Sequence, residues 1–370
     1  MKKPILKRLE HGFKRMLFWV SRLYLKKGRK DFTSINPLEI KKVLFLRPEK
    51  LGDMVISLPV FYNLKNLYPH LKLFTICSPR NIAVVKNSAH IEKNFLYTKN
   101  FFRDLKVLGK VRSLKVDAVV DMICDDSVTA LFLSQYSSPG AWRIGVGKTR
   151  HREYYDFNYK YRTGDEAHVV DNTIKLLTAF GIETDDLEKH VPPTIDEKCF
   201  EVAERFIKSI QDGTGDKLVG LNISAGRATR VWPVEKNIEL VNRFLDNHEG
   251  FRVVISSDPT ERKRAETLAS KFDSRVYTFP EGLNLLEVSA IISRLELLVT
   301  PDTSLVHIAR AFRIPVVGLY TRFDKNFKLW KPYNQDGGAV VSNNNYNIFD
   351  IEVDDVYNEV SKLLKAEVSR

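Results

Sequence analysis

Only three cysteines, Cys77, Cys124 and Cys199, occur in the 370 residues, and they are scattered along the chain. That spacing supplies neither a disulfide framework nor a zinc site and suits a reducing compartment. Long apolar runs are missing too. In the N-terminal segment the longest uncharged stretch, Met16 to Ser21, falls far short of the roughly 20 residues a membrane span needs. Arg22 interrupts that stretch and no small-residue cleavage site follows, so a secretory signal is not expected. No carboxylate cluster of the kind that holds a divalent metal is evident, and none is expected.

Positive charge is present but confined. Of the formal net charge of +12, most falls in residues 1–30, which hold eleven Lys or Arg against one acid, Glu10. The rest of the chain is nearly neutral, so the basic charge belongs to a tail, residues 1–36, and not to the body. On a helical wheel, Phe13, Met16, Leu17, Val20, Leu23 and Tyr24 share one face and Arg15, Arg22 and Lys26 the other. This is the pattern of a basic amphipathic helix lying in an anionic membrane interface. The competing reading is a helix packed on the protein's own body or on another subunit. A nucleic-acid arm would leave the apolar face unexplained, so no nucleic-acid partner is expected.

The body is long enough for two domains. Apolar strands expected at 43–47, 71–77, 95–97, 116–122 and 142–146 alternate with helices at 54–68, 79–86, 101–114 and 127–136. Alternation of this kind implies a parallel sheet covered on both faces. Residues 147–161 (GKTRHREYYDFNYKY) break the rhythm. They read either as an irregular solvated loop or as an anion-reading surface for an acidic acceptor, built from Lys148, Arg150, His151 and Arg152. A helix follows at 168–181, and residues 182–198, with Pro192-Pro193, read as an interdomain linker.

The second domain, residues 191–350, repeats the layout of the first, 37–190. Strands are expected at 217–224, 251–257, 276–279, 297–300 and 316–320, and helices at 233–247, 261–272 and 285–293. A terminal amphipathic helix, residues 351–370, carries Val353, Val356 and Val360. Two doubly wound domains should hold ligand at the carboxyl ends of their strands.

Three loops fall there. In Arg47-Pro48-Glu49-Lys50-Leu51-Gly52-Asp53, Gly52 permits a tight turn, and Asp53 is either a helix cap or a carboxylate available as general base. In the loop from Ser224 to Pro233, small residues allow close backbone approach and Arg227 and Arg230 can pair with phosphate oxygens. In Pro301-Asp302-Thr303-Ser304, a strand ends and a helix begins, the place where unpaired amides and the dipole favour an anion. His307, one turn on, is either a packing residue or a ligand.

The pairing of LRPEKLGDMVISLPVFYNLKNLYP with PDTSLVHIARAFRIPVVGLY, and the middle loop AGRATRVWPVEKNIELV, resembles glycosyltransferase family 9, the bacterial lipopolysaccharide heptosyltransferases. The likeness covers roughly residues 41–320. It implies an α/β GT-B fold, two doubly wound Rossmann-like domains facing across a cleft, and inverting, metal-independent transfer. No cofactor is implied, an ADP-sugar being the donor substrate. By resemblance Asp53 is the base, and Asp302, Thr303 and His307, with the amides of Ser304, Leu305 and Val306, hold the diphosphate. Ser304 and Arg230 stand where many members carry Gly and Lys, and Asp258 is the nearest match to a ribose-binding acid. The acceptor implied is a lipid-linked anionic saccharide, which places the protein at the inner face of the cytoplasmic membrane. Two alternatives remain open, a GT-B enzyme using another nucleotide-sugar and a non-catalytic nucleotide-binding relative.

Overall fold

The structure is a computed structural model that describes residues 25–29, 33–162, 168–272 and 274–368. The amphipathic helix expected in the tail lies almost wholly outside these residues. At its expected end, residues 25–27 are not helical.

The first domain is a six-stranded sheet built from β1 (Lys42–Leu46), β2 (Lys72–Cys77), β3 (Lys93–Leu96), β4 (Ala118–Asp121), β5 (Trp142–Val146) and β6 (Phe157–Tyr159). Its order is β3-β2-β1-β4-β5-β6, and every pairing is parallel. Helices α1 (Leu51–Val55), α2 (Leu58–Leu67), α3 (Ile82–Val85), α4 (Phe101–Ser113), α5 (Val128–Ser137) and α6 (Val169–Ile174) connect and cover it. The helix expected over 54–68 is two helices. Pro59, in the first turn of α2, has no amide to continue the ladder, so the chain restarts at Ser57. The helix expected over 168–181 tightens to 3-10 geometry at Lys175–Phe180 and stops at Gly181, whose φ of 71° is left-handed.

The second sheet repeats the plan with β7 (Lys217–Asn222), β8 (Phe251–Ser256), β9 (Val276–Thr278), β10 (Leu297–Pro301), β11 (Val316–Tyr320) and β12 (Ala339–Val341), in the order β12-β11-β10-β7-β8-β9. Around it lie α7 (Glu197–Gln211), α8 (Val234–Asn247), α9 (Arg262–Ala269), α10 (Leu285–Ile292), α11 (Ser304–Ala311), α12 (Asp324–Trp330) and α13 (Val353–Val368). Pro233 precedes α8 as its N-cap and is not inside its first turn. The terminal helix is no separate unit, since Val353, Val356, Val360, Leu363 and Leu364 enter the core of this domain.

In each sheet the strand order reverses its direction of growth between two central parallel strands, β1/β4 and β7/β10. Loops leaving those strands on opposite sides open a crevice at the carboxyl edge. The two crevices face each other, because one apolar core runs from Met54 and Leu58 of the first domain to Ile291, Val306 and Ile308 of the second. This is the GT-B arrangement.

At the centre of the junction α1 meets α11. Gly52 is buried, and a β-carbon there would lie 3.2 Å from His307 Cδ2 and 3.6 Å from Ser304 Cα. His307 has little room to retreat, being 7% exposed with its ring 5.4 Å from that of Trp330. Gly52→Ala should therefore cost about 1–3 kcal/mol by overpacking, read as a lower midpoint of denaturant unfolding. An unchanged or raised midpoint would show that the two helices do not depend on the missing side chain.

Candidate active site

Arg47 leaves the end of β1 almost fully buried, at 1% exposure. Its guanidinium organises the first loop. Nη1 donates to Glu49 Oε2 at 2.8 Å and to the Met122 carbonyl, Nε donates to the Asp53 carbonyl at 3.0 Å, and Nη2 lies 3.8 Å from Asp53 Oδ1. One buried cation thus holds two carboxylates and ties the β1 loop to the β4 loop. Burial, opposed by Arg47 and reinforced by Asp53, Asp125 and Asp121, pushes the Glu49 carboxyl up to about 7.

Asp53 stands at the third position of α1, where its Oδ2 accepts the Lys50 amide at 3.1 Å. It is therefore a cap, and at the same time a partly exposed carboxylate beside the cleft, its side chain 14% exposed. The two readings of this residue are compatible in one geometry.

Across the cleft, Thr303 caps α11 through its hydroxyl, which accepts from the Leu305 amide at 3.3 Å. The Val306 amide donates to the Thr303 carbonyl at 3.3 Å. Of the amides offered at this helix start, Ser304's has no acceptor among the described residues. Asn222 at the end of β7 donates to Thr300 Oγ1 at 2.8 Å, locking the two switch-point strands. Arg230 Nη1 pairs with Asp302 Oδ2 at 2.6 Å, joining the second and third loops. Its Nε and Nη2 have no partner among the described residues, and the exposed side chain of Arg227 has none either. Burial raises the Asp302 carboxyl above the usual range, against the pull of Arg230 and of Lys50 from the other domain. Burial first, then the nearby His168, pushes the His307 imidazole down to about 3. At neutral pH His307 is therefore an uncharged hydrogen-bonding group.

The other expected ligands are held in different ways. Lys148 is 3% exposed and not on an anion-reading surface. Its ammonium is spent on Asp121 (2.8 Å) and on the carbonyls of Ile123 (2.6 Å) and Asp125 (2.8 Å). His151 is buried as well, while Arg150 and Arg152 are exposed. Asp126 shapes this loop by accepting the amides of Thr149, Arg150 and His151 and the Thr149 hydroxyl. Asp258 is an exposed cap, accepting the Thr260 amide at 2.9 Å and hydroxyl at 2.6 Å. Its own amide donates to the Ser224 hydroxyl at 2.8 Å, and that hydroxyl in turn donates to Glu261 Oε2 at 3.0 Å. Sequence reading missed Glu261, Arg47, Glu49 and Lys50. The charge density of Arg-Pro-Glu-Lys was the available signal for the last three. Among the described residues no three His, Cys, Asp or Glu side chains converge as metal ligands.

Two outcomes follow. Arg47→Met leaves Glu49 and Asp53 without their counter-charge and should cost about 3–5 kcal/mol of unfolding free energy; a loss below about 1 kcal/mol would deny the arginine its organising role. His168 and His307 are held neutral, at about 4 and about 3. Their folded values lie below the unfolded 6.5, so the stability they contribute is present above pH 6.5 and lost as pH falls towards 4. Denaturant titrations at falling pH should show a shallower loss in His307→Gln than in the parent chain, and equal slopes would contradict the burial assignment.

The family model for glycosyltransferase family 9 (heptosyltransferase) matches residues 105–359. The chain is 23% identical over 287 residues to the lipopolysaccharide core heptosyltransferase OpsX of Haemophilus influenzae, covering 76% of this chain and 79% of that one. A family 9 glycosyl transferase from Veillonella parvula superposes with a TM-score of 0.72 at 18% identity, covering 88% and 97% of the two chains. The ADP-heptose lipopolysaccharide heptosyltransferase II of Escherichia coli does so with 0.68 at 18%, covering 88% and 99%. The fold, the two-sided cleft and the family match agree, and this chain belongs to glycosyltransferase family 9, the heptosyltransferases.

Proposed function

We propose that this glycosyltransferase moves a heptose from ADP-heptose, with inversion, onto a lipopolysaccharide core or a similar lipid-linked anionic saccharide. The observation that carries the reading is the junction at Gly52. It sets the Asp53 loop of one domain directly against the Ser304–His307 helix start of the other. An acceptor hydroxyl on the first domain and a donor diphosphate on the second then meet between them.

In the reaction, Asp53 takes the proton of the acceptor hydroxyl, whose oxygen forms a bond to the anomeric carbon. The bond from that carbon to the diphosphate oxygen breaks, and its electron pair leaves with the nucleotide. Negative charge grows on the leaving diphosphate, where Arg230, Arg227, the Ser304 amide and neutral His307 are disposed to receive it. Lys50 adds a positive charge from the acceptor side. Arg47 keeps Asp53 in place and takes no part in the bond changes. Asp258 and Glu261 both meet the donor loop at Ser224 and are the two candidates for the ribose.

The names of the relatives support heptose and lipopolysaccharide, and the basic tail, residues 1–30, supports a peripheral site on the cytoplasmic face of an anionic membrane. Among the described residues no helix is long and apolar enough to cross a membrane. Incubation of the protein with a panel of ADP- and UDP-sugars, with and without a lipopolysaccharide-core acceptor, should give acceptor-dependent nucleotide release from ADP-heptose. Asp53→Ala should lower that release at least about a hundredfold. Release from a UDP-sugar instead would overturn the donor assignment, and near-normal turnover of the variant would remove the base.

A further inference from the structure

We propose that the outer face of α4 is a second contact with an anionic lipid surface, folded into the body and separate from the tail. It extends the peripheral-membrane reading and does not depend on the transfer chemistry.

Helix α4 covers the outer side of the first sheet, with Val111 and Asp104 turned inwards. Asp104, 5% exposed, is occupied by the Thr98 amide at 2.8 Å and hydroxyl at 3.0 Å. The opposite face is unusual for a soluble helix. Phe102 is 76% and Leu105 46% exposed, and Arg103, Lys106 and Lys110 are exposed around them. Six of the residues from Lys99 to Lys115 are Lys or Arg, and Asp104 is the one acid. A body that is nearly neutral overall therefore carries one local positive face, and that face also presents an aromatic and an aliphatic side chain. Charge alone would fit any polyanion. Exposed Phe and Leu set among lysines fit a surface that is anionic outside and apolar a few ångströms in.

The placement of residues 25–29 points the same way. Residues 25–29 strap along α5, the neighbour of α4. Leu25 packs with Leu131, Lys26 exchanges hydrogen bonds with Gln135 (3.3 and 2.8 Å), and Arg29 lies 3.8 Å over the Trp142 ring and 3.4 Å from Asp156. The described residues that border the tail, 25–29, therefore lie on the side of the domain that carries α4 and α5. Tyr136 of α5, 40% exposed and under Arg112 at 5.1 Å, continues the apolar and basic face between the two helices.

The test uses the full-length chain in flotation with vesicles of phosphatidylcholine alone or in equal mixture with phosphatidylglycerol. The parent protein should float only with the mixture. Phe102→Ser with Leu105→Ser, and separately Lys106→Glu with Lys110→Glu, should each lower its partitioning, the charge pair by at least about tenfold, given roughly fivefold per basic residue near an anionic surface. Thermal midpoints should not move, since these side chains are exposed, and nucleotide release with a soluble acceptor fragment should be unchanged. If the charge pair weakens binding and the apolar pair does not, the face is a general polyanion contact and the lipid assignment fails. Partitioning of both variants equal to the parent overturns the α4 contact while leaving the tail. A parent protein that floats with neither vesicle overturns the membrane reading as a whole, with transfer unaffected.

Discussion

Gly52 against Ser304 and His307 is the contact on which the rest of the site depends. Two domains with equivalent sheets would each offer a crevice at the switch point, but neither crevice alone can carry out a transfer. Removing a side chain at one position lets α1 approach α11 until backbone meets backbone. That approach sets the Asp53 carboxylate of the first domain opposite the start of α11 in the second, the geometry on which the proposed transfer rests. The apolar core that spans both domains holds the approach.

Charges are then distributed by side. In the first domain Arg47 stands between Glu49 and Asp53 as their shared counter-charge. Across the cleft, Asp302 holds Arg230 through Nη1, and the rest of its guanidinium has no partner among the described residues. In both cases a buried or half-buried ion pair fixes geometry more than it adds stability, since the desolvation of each partner offsets much of the attraction.

Much of this was legible in the sequence because it rests on local signals. The strands β1, β7 and β10 are short apolar runs, each closed by a turn, and the loops after them carry the charged residues. What stayed hidden depends on partners distant in the chain. Lys148 looks like a surface lysine until Asp121 and two carbonyls close around it. Glu261 gains its link to the second loop through Ser224, distant in the chain. The edge strands β6 and β12 are three residues long and lie in polar, aromatic or Asn-rich stretches that carry no clear period. Helix α7 was passed over beside the expected linker, although its apolar stripe faces α10 in the fold.

The central claim is a division of labour, base on one domain and diphosphate site on the other. Calorimetric titration of ADP into the parent protein, Asp53→Asn and Arg230→Met tests it directly. The account predicts that Asp53→Asn binds ADP like the parent, and that Arg230→Met binds at least about tenfold more weakly, having lost a charged partner for the phosphates. Equal weakening by both substitutions, or parent-like binding by Arg230→Met, would contradict it.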